Sequence, residues 1–447
     1  MASSSSQDLG SPPPPKIAVV GCGHGQLDAI YATLEDQCLE KGWTLSDIDF
    51  LIICGDFQAA RNESDLNCMS VPRKYRKMGD FHKYYSGAAT APVLTLVIGG
   101  NHEASGYLSE LRHGGWLAPN IYYLGVAGVV RYGPWRIAGL SGIYYPSDYR
   151  KPHHERRPYG AGDVRSVYHV REVDVQRLLQ IRSHVDVALS HDWPAWVELF
   201  GDYASLFAAK PYFLDSAKID KLGSKPASEV MNHLRPSYWF SGHMHIRFTA
   251  VVEYKDGLSL LDTAKALPVS DNIKASLPVF KRKYALSSSS ELPPTPVGSQ
   301  SKTEFLGLDK AGAYPRLFME LKELQLPTRS NAEIARYSSR NEDGKFSLYY
   351  DEEWLAITRA SLNGVRVADA ETESVPPPSQ KDLAASLPQQ HVWVKDNIVD
   401  RNLLKIPENF KLHAPVHNPV VPATLEQPPE YPNQQTACFT ELLQIPN

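Results

Sequence analysis

Polar residues of the kinds that bind metal ions follow directly after five short apolar segments of the chain. These segments, each with the residues after it, are KIAVV (16–20) before GCGHG, FLII (50–53) before CGDFQ, VLTLVI (93–98) before GGNHE, VDVAL (185–189) before SHDWP, and YWF (238–240) before SGHMH. Their length and β-branched content are typical of strands. Because sites in open α/β sheets form at the carboxyl ends of strands, we expect the polar residues to meet in one crevice.

The candidate metal ligands among these residues are more informative together than singly. A GD or GNH sequence after a strand more often marks a turn, and a small cysteine at a strand end is often just buried. The histidines of GHMH, at positions i and i+2, can point the same way from an extended segment. The whole set is Cys22, His24, Asp56, Asn101, His191, His243 and His245. Such imidazole, carboxylate and amide groups suit Fe, Zn or Mn, and two such cations can clamp the attacking and leaving oxygens of an in-line displacement.

The composition is that of a globular protein with room for two or three domains, because the chain has 447 residues, 43% of them hydrophobic. No apolar run approaches the roughly 18 to 20 residues of a membrane helix, and the first residues lack the features of a secretory signal. We therefore expect no membrane association. The five cysteines are odd in number and show no CxxC spacing, which favours a reducing compartment over a disulfide framework or a zinc finger.

The order of segments predicts one large catalytic domain followed by smaller regions. Further strands are predicted at 135–140 and 248–253, and helices at 26–38 and 173–182. The predicted regions are a disordered leader (1–15), the catalytic domain (16–283), a polar and proline-rich linker (284–302), a small accessory domain (303–361) and a mostly disordered tail (362–447) with a short ordered piece around VWVKDNIVD.

Basic residues are clustered, although the formal net charge is only −4. The clusters lie at 73–77, 150–157 and 281–283, and any one such run is more often a solvated surface. Within 143–171, six lysines and arginines alternate with five tyrosines, and proline and glycine favour a loop. Cations for phosphates and flat side chains for bases are what an RNA-binding loop needs. The alternative is a surface loop whose tyrosines only pack on the sheet.

The ligand motifs resemble those of the calcineurin-like metallophosphoesterase superfamily over roughly residues 16–267. The segments GCGHGQLDAIY, GDFQAARNESD, GIYYPSDYRKPHHERRPYG, FLGLDK and YYDEEWLAITRA are similar to the RNA lariat debranching enzyme family, over most of residues 16–361. The resemblance implies an α/β fold, a metallophosphoesterase β-sandwich flanked by helices, with a small C-terminal accessory domain. It also identifies 143–171 as the lariat recognition loop.

The resemblance implies a role for each candidate ligand. One metal ion would be held by His24, Asp56 and His245 with Cys22 nearby, and the other by Asp56, Asn101, His191 and His243. Asp56 would bridge the two ions, a water or hydroxide between them would be the nucleophile, and His102 would be the general acid. Most of the superfamily has aspartate at the position of Cys22, and a thiol there should favour softer cations or weaken that position.

The implied activity is metal-dependent hydrolysis of the 2′-5′ phosphodiester at the branch point of excised intron lariat RNA, giving linear RNA. It implies one or two Fe²⁺, Zn²⁺ or Mn²⁺ ions per site, a nuclear location with the cytoplasm as the alternative, and splicing-related protein partners bound through the C-terminal region. The candidate substrate-binding residues are Arg61, Tyr144, Arg150, Arg156, Arg157, Tyr159, Arg165, Tyr168, His169 and Arg171. The alternatives are a phosphoesterase acting on a nucleotide or phosphoprotein, and a catalytically silent scaffold.

Overall fold

The computed structural model describes residues 14–255, 258–281, 294–312, 316–327, 329–362, 379–420 and 424–446. All but the last two residues of the predicted leader, and residues 284–293 of the predicted linker, lie outside this set. So do residues 282 and 283 of the third basic run. Among the residues described, no helix has both the length and the apolar character that crossing a bilayer demands.

Thirteen strands form two mixed sheets in the described chain. In chain order they are β1 Lys16–Val20, β2 Ile48–Ile53, β3 Thr95–Val97, β4 Gly115–Ala118, β5 Ile121–Tyr123, β6 Ala127–Tyr132, β7 Trp135–Leu140, β8 Val187–Ser190, β9 Tyr238–Ser241, β10 Phe248–Glu253, β11 Lys302–Gly307, β12 Met319–Glu323 and β13 Leu348–Tyr350. One sheet has the order β12-β1-β2-β3-β5-β4 and the other β10-β11-β9-β8-β7-β6-β13. Strands β1, β2, β3 and β5 run parallel in the first sheet, as do β11, β9, β8 and β7 in the second.

Helices cover the outer faces of the two sheets. In chain order they are α1 Leu27–Glu40, α2 Phe81–Ser86, α3 Ser105–Glu110, α4 Pro146–Tyr149, α5 Asp163–Ser166, α6 Glu172–Leu178, α7 Tyr203–Ala209, α8 Pro211–Lys218, α9 Lys225–Leu234, α10 Leu260–Lys265, α11 Asp271–Ser276, α12 Pro278–Lys281, α13 Asn331–Arg336, α14 Glu352–Leu362, α15 Gln380–Val394 and α16 Gln434–Leu443. The central strands are buried on both faces, which explains their unbroken apolar sequences. In β1, for example, Val19 packs between the sheets, whereas Val20 packs beneath α1. The predicted fold class, an α/β sandwich flanked by helices, is confirmed.

The region predicted as an accessory domain, 303–361, contributes strands to both sheets of the sandwich. Strand β11 lies inside the second sheet between β10 and β9, β12 extends the first sheet beside β1, and β13 pairs with β6. The fully buried Asp351 accepts hydrogen bonds from Arg131 at 2.8 Å and Arg136 at 2.7 Å. The composition change near residue 284 therefore falls between two strands, β10 and β11, that pair in one sheet.

The prediction that 362–447 is mostly disordered is wrong for the residues described there. Helix α15 packs on α14 and buries Leu383 and Leu387, while α16 buries Phe439 and Leu443. The predicted ordered piece around VWVKDNIVD is confirmed as the end of α15 and a π-helical turn, Lys395–Val399. The few apolar residues of this region suffice because they lie on one side of each helix, against a surface already built by the rest of the chain.

Candidate metal centre

The loops that follow the parallel strands bring all seven predicted ligands to one edge of the sandwich. Cys22 and His24 follow β1, Asp56 follows β2, Asn101 follows β3, His191 follows β8, and His243 and His245 follow β9. Four of these residues have left-handed backbone conformations, with φ of 45° at His24, 46° at Asp56, 62° at His243 and 49° at His245. Each such conformation costs roughly 1 to 3 kcal/mol at a non-glycine residue and is found where function requires it.

The first group of ligands is Cys22, His24, Asp56 and His245, whose ligand atoms all lie within 4.8 Å of one another. The Nε2 atoms of His24 and His245 are 3.1 Å apart, and His24 Nε2 is 3.7 Å from Asp56 Oδ2. Asp56 Oδ2 is buried and has no hydrogen-bond partner. A buried, unpartnered carboxylate oxygen facing two imidazoles fits a cation bound among them.

The second group is formed by His191, Asn101 and the other oxygen of Asp56. His191 Nδ1 lies 2.7 Å from the carbonyl oxygen of Cys54, which assigns its proton to that bond. Burial lowers the pKa of His191 to about 4, so the ring is neutral near pH 7. Its Nε2 lone pair then faces two further acceptors, Asn101 Oδ1 at 3.2 Å and Asp56 Oδ1 at 3.4 Å. The His243 ring lies 5.0 Å from that of His191. Three converging acceptor atoms suit a second cation.

Asp56 lies between the two groups and directs one oxygen to each. Burial by itself raises the pKa of this carboxyl, but His191, His102 and His24, together with the hydrogen bond from the His102 backbone, outweigh it and set the pKa at about 2. The side chain is therefore a carboxylate at neutral pH. This geometry is what a ligand that bridges two cations requires.

Cys22 lies within the first ligand group, whereas His102 lies beside the ligands. The buried Cys22 Sγ lies 3.0 Å from the backbone nitrogen of His243 and accepts its hydrogen bond. Burial, with the nearby charge of Asp56, raises the pKa of its thiol, so a cation would have to displace the proton for this sulfur to bind. The His102 ring is half-buried and stands 5.8 Å from the His24 ring, beside the ligands and outside their cluster.

Glu103 is a functional residue that the sequence reasoning missed. Its buried carboxyl accepts hydrogen bonds from the backbone nitrogens of Phe57 at 2.8 Å, Gln58 at 2.7 Å and Gly100 at 2.9 Å. It thereby ties together the turns that carry Asp56 and Asn101. Burial and the charge of Asp56 raise its pKa to about 7. The available signal was its place directly after His102 in GGNHE.

The ten predicted substrate-binding residues fall into two groups in the structure. Arg150, Arg156 and Arg165 are exposed, and Tyr144 and Tyr168 are half-buried. The Tyr168 hydroxyl lies 3.1 Å from Ser70 Oγ. These five side chains remain on the surface of the loop 143–171, where a ligand can reach them.

The other five predicted residues are engaged within the chain, and their assignment to substrate stays a prediction. Arg61 pairs with Asp65 and Glu110, Arg157 with Glu110 and Arg171 with Glu155, and the three side chains are at most 3% exposed. The buried Tyr159 donates its hydroxyl to Ser109, and the buried His169 lies 2.7 Å from Asp148. Asp65, Glu110 and Glu155 thus already neutralise these three arginines.

Family models match both the N-terminal and the C-terminal part of the chain. The family model of the calcineurin-like phosphoesterases matches residues 15–247, and that of the lariat debranching enzyme C-terminal domain matches residues 300–447. The lariat debranching enzyme of Arabidopsis thaliana is 40% identical over 433 residues, covering 96% of this chain and 86% of its own. Those of Homo sapiens and Drosophila melanogaster are 38% and 39% identical, and the matches cover 96% of this chain and 69% and 78% of theirs.

Gly100 gives a direct test of the ligand arrangement. A Cβ at this position would overlap Oδ1 and the backbone nitrogen of Asp56 and lie 2.7 Å from His191 Cε1. We expect Gly100→Ala to lose at least one metal ion after stripping and reconstitution with Mn²⁺ or Zn²⁺, measured by elemental analysis, with an unchanged circular dichroism spectrum. Gly99→Ala is the matched control, because the nearest atoms to its Cβ would be side-chain atoms, Leu108 Cδ1 at 3.2 Å and Ser141 Cβ at 3.5 Å. Equal metal content in Gly100→Ala and the parent would contradict the arrangement.

Proposed function

The chain belongs to the lariat debranching enzyme family of calcineurin-like phosphoesterases, and from this premise we propose that it hydrolyses the 2′-5′ phosphodiester at the branch point of intron lariat RNA. The protein is a metal-dependent phosphodiesterase. The observation that carries the proposal is the pair of ligand groups joined by Asp56, adjacent to a loop with exposed arginines. A scaffold without activity would not need this complete and strained set of ligands.

We propose that the ligands divide as the two groups in the structure suggest. His24, Asp56 and His245, with Cys22 beside them, would hold one ion, and Asp56, Asn101, His191 and His243 the other. The donor set fits Fe²⁺, Zn²⁺ or Mn²⁺. When bound, such ions supply Lewis acidity and acidify water. The Cys54 carbonyl fixes the His191 ring with its lone pair directed inward, and Glu103 holds the turns that present Asp56 and Asn101.

His102 is the proposed general acid. Its backbone is fixed by a 2.8 Å hydrogen bond to Asp56 Oδ1, and its ring lies next to the ligands while remaining partly open to solvent. A water oxygen bonds to phosphorus, the bond from phosphorus to the 2′-oxygen breaks, and His102 supplies the proton to that oxygen. The products are a free 2′-hydroxyl and a 5′-phosphate on a linear RNA.

A lariat RNA substrate requires an RNA-binding surface and has consequences for where in the cell the protein acts. We propose that the exposed arginines of loop 143–171 bind RNA phosphates near the branch. We also propose the nucleus as the location, with the cytoplasm as the alternative, because lariats arise where introns are removed, and fractionation of cells tests this. Binding of splicing-related proteins through the C-terminal region remains a further proposal.

The function is tested with metal-stripped protein that receives Fe²⁺, Zn²⁺ or Mn²⁺ separately. We expect the reconstituted protein to cleave a branched RNA only at its 2′-5′ linkage and to leave the matched linear RNA intact. The control substrate is a small chromogenic phosphodiester. Its hydrolysis without cleavage of branched RNA would assign the site to another phosphoester, and failure with both substrates would leave a binding scaffold.

His102→Ala separates proton transfer from metal binding. We expect branched-RNA cleavage to fall by roughly 10² to 10⁴, the usual contribution of a general acid, while metal content and RNA affinity stay at the parent's values. Asp56→Ala is the comparison, because loss of the shared carboxylate should remove the metal as well. If His102→Ala lost metal to the same extent, His102 would be a ligand and its proposed role would be wrong.

Replacing Arg150, Arg156 and Arg165 together by alanine tests the role of the loop. We expect weaker binding of branched RNA. We also expect the slope of log affinity against log salt concentration to become shallower by roughly two to three, because each phosphate contact that is lost no longer releases a counterion on binding. Turnover of the small phosphodiester should not change. Arg401→Ala, which removes an exposed arginine outside the loop, is the control. An unchanged slope in the triple variant would assign these arginines to an ordinary solvated surface.

A further inference from the structure

The part of the chain between the π-helical turn and α16 lies across the loops that flank the metal centre. We name residues 407–420 and 424–433 the C-terminal arm. The arm first contacts the segment that follows the ligand Asp56. Asn62 Nδ2 donates to the Pro415 carbonyl at 2.7 Å, and Asn67 Nδ2 donates to the carbonyls of Thr424 at 3.0 Å and Glu426 at 2.8 Å.

The arm also holds the middle of loop 143–171. The Tyr159 backbone nitrogen donates to Gln427 Oε1 at 2.7 Å, and Gln427 Nε2 donates to the Tyr159 carbonyl at 2.8 Å. Two residues earlier in the loop, Arg157 Nη1 donates to the Pro429 carbonyl at 2.8 Å. One side chain of the arm thus satisfies both backbone groups of a loop residue.

The contacts with Gln427 supply the backbone hydrogen bonds of Tyr159. The two helices within it, α4 and α5, have four residues each, and Tyr159 lies between them. Within the described chain, Tyr159 makes no hydrogen bond to another backbone group. A backbone N–H and C=O without partners are costly when buried, so Gln427 supplies what a sheet or helix would supply elsewhere.

Glu110 connects the arm, the loop and the metal-side segment through one buried carboxylate. It accepts hydrogen bonds from Arg157 at 2.8 Å and from Arg61 at 2.8 Å, and it lies 3.0 Å from His413 Nε2 of the arm. The exposed Arg156 is adjacent to Arg157, whose guanidinium is fixed in this way. The position of Arg156 relative to the metal centre therefore depends on anchors in the arm.

We propose that the C-terminal arm is a positioning element for loop 143–171, and that Gln427 is the positioning residue through which it acts. This inference rests on the proposed function, because the loop is taken to bind RNA. The arm would affect the use of branched RNA and would not affect the chemistry at the metal centre. It gives the C-terminal region a part in substrate recognition without contact between the region and the substrate.

The test compares Gln427→Met, which keeps the length of the side chain but cannot hydrogen-bond, with Gln427→Glu, which can still accept from Tyr159. The control is Gln434→Met, at an exposed position that begins α16. For Gln427→Met we expect KM for branched RNA to rise roughly tenfold, because the variant loses the two hydrogen bonds that order the loop and a tenfold change corresponds to about 1.4 kcal/mol, within what two such bonds contribute. Turnover of the small phosphodiester and kcat should not change. Gln427→Glu should raise KM at least as much, because its second carboxylate oxygen would face the Tyr159 carbonyl in place of the donor Nε2.

Amide hydrogen exchange over residues 157–160 provides a measurement that needs no substrate. We expect faster exchange in Gln427→Met than in the parent, and parent-like exchange in Gln434→Met. Unchanged exchange, an unchanged KM for branched RNA, or a parallel loss of small-phosphodiester turnover would each overturn the inference. If the parent itself failed to cleave branched RNA, the proposed function would fall separately, and the exchange result would still decide whether Gln427 orders the loop.

Discussion

The carboxylate of Asp56 has to stay charged while fully buried, and much of the surrounding structure follows from that requirement. Its two oxygens face different groups of ligands, and its backbone is held in the left-handed region at a φ of 46°. The neighbouring Gly55 and Gly100 have no Cβ because one at either position would overlap His191 or Asp56 itself. Glu103 then fixes the turns on either side through three backbone hydrogen bonds. An uncompensated buried charge would be costly, so these features are needed together.

The sequence predicted the strands, and the meeting of the candidate ligands at one edge of the sandwich, because both depend on local chemistry. Strand β1 has the predicted bounds, 16–20, because a strand buried on both faces has to be apolar throughout. The ligands were identifiable because each lies within a few residues of such a strand. Glu103 was missed because its partners are backbone groups, which its place directly after His102 does not identify.

The errors arose where the outcome depends on residues distant in the chain. Arg157 and Arg171 were predicted to bind RNA, and nothing in the sequence identifies Glu110 and Glu155 as their ion-pair partners. The C-terminal tail looked disordered because its few apolar residues cannot form a core alone, but they suffice on a surface that α14 already provides. In each case, tertiary contacts decided between two states that local sequence allows.

The place of β11 inside the second sheet affects how the protein can be made. During synthesis β9 and β10 leave the ribosome before the strand that lies between them, so neither has its final neighbour on that side until residues 302–307 emerge. The second sheet therefore cannot be assembled strand by strand as the chain is synthesised. Until β11 emerges, β9 and β10 each have an unpaired edge. Exposed edges of this kind are sites where nascent chains associate wrongly or recruit chaperones. A nascent chain that stops before β11 therefore carries every proposed metal ligand on two sheets that both still lack strands.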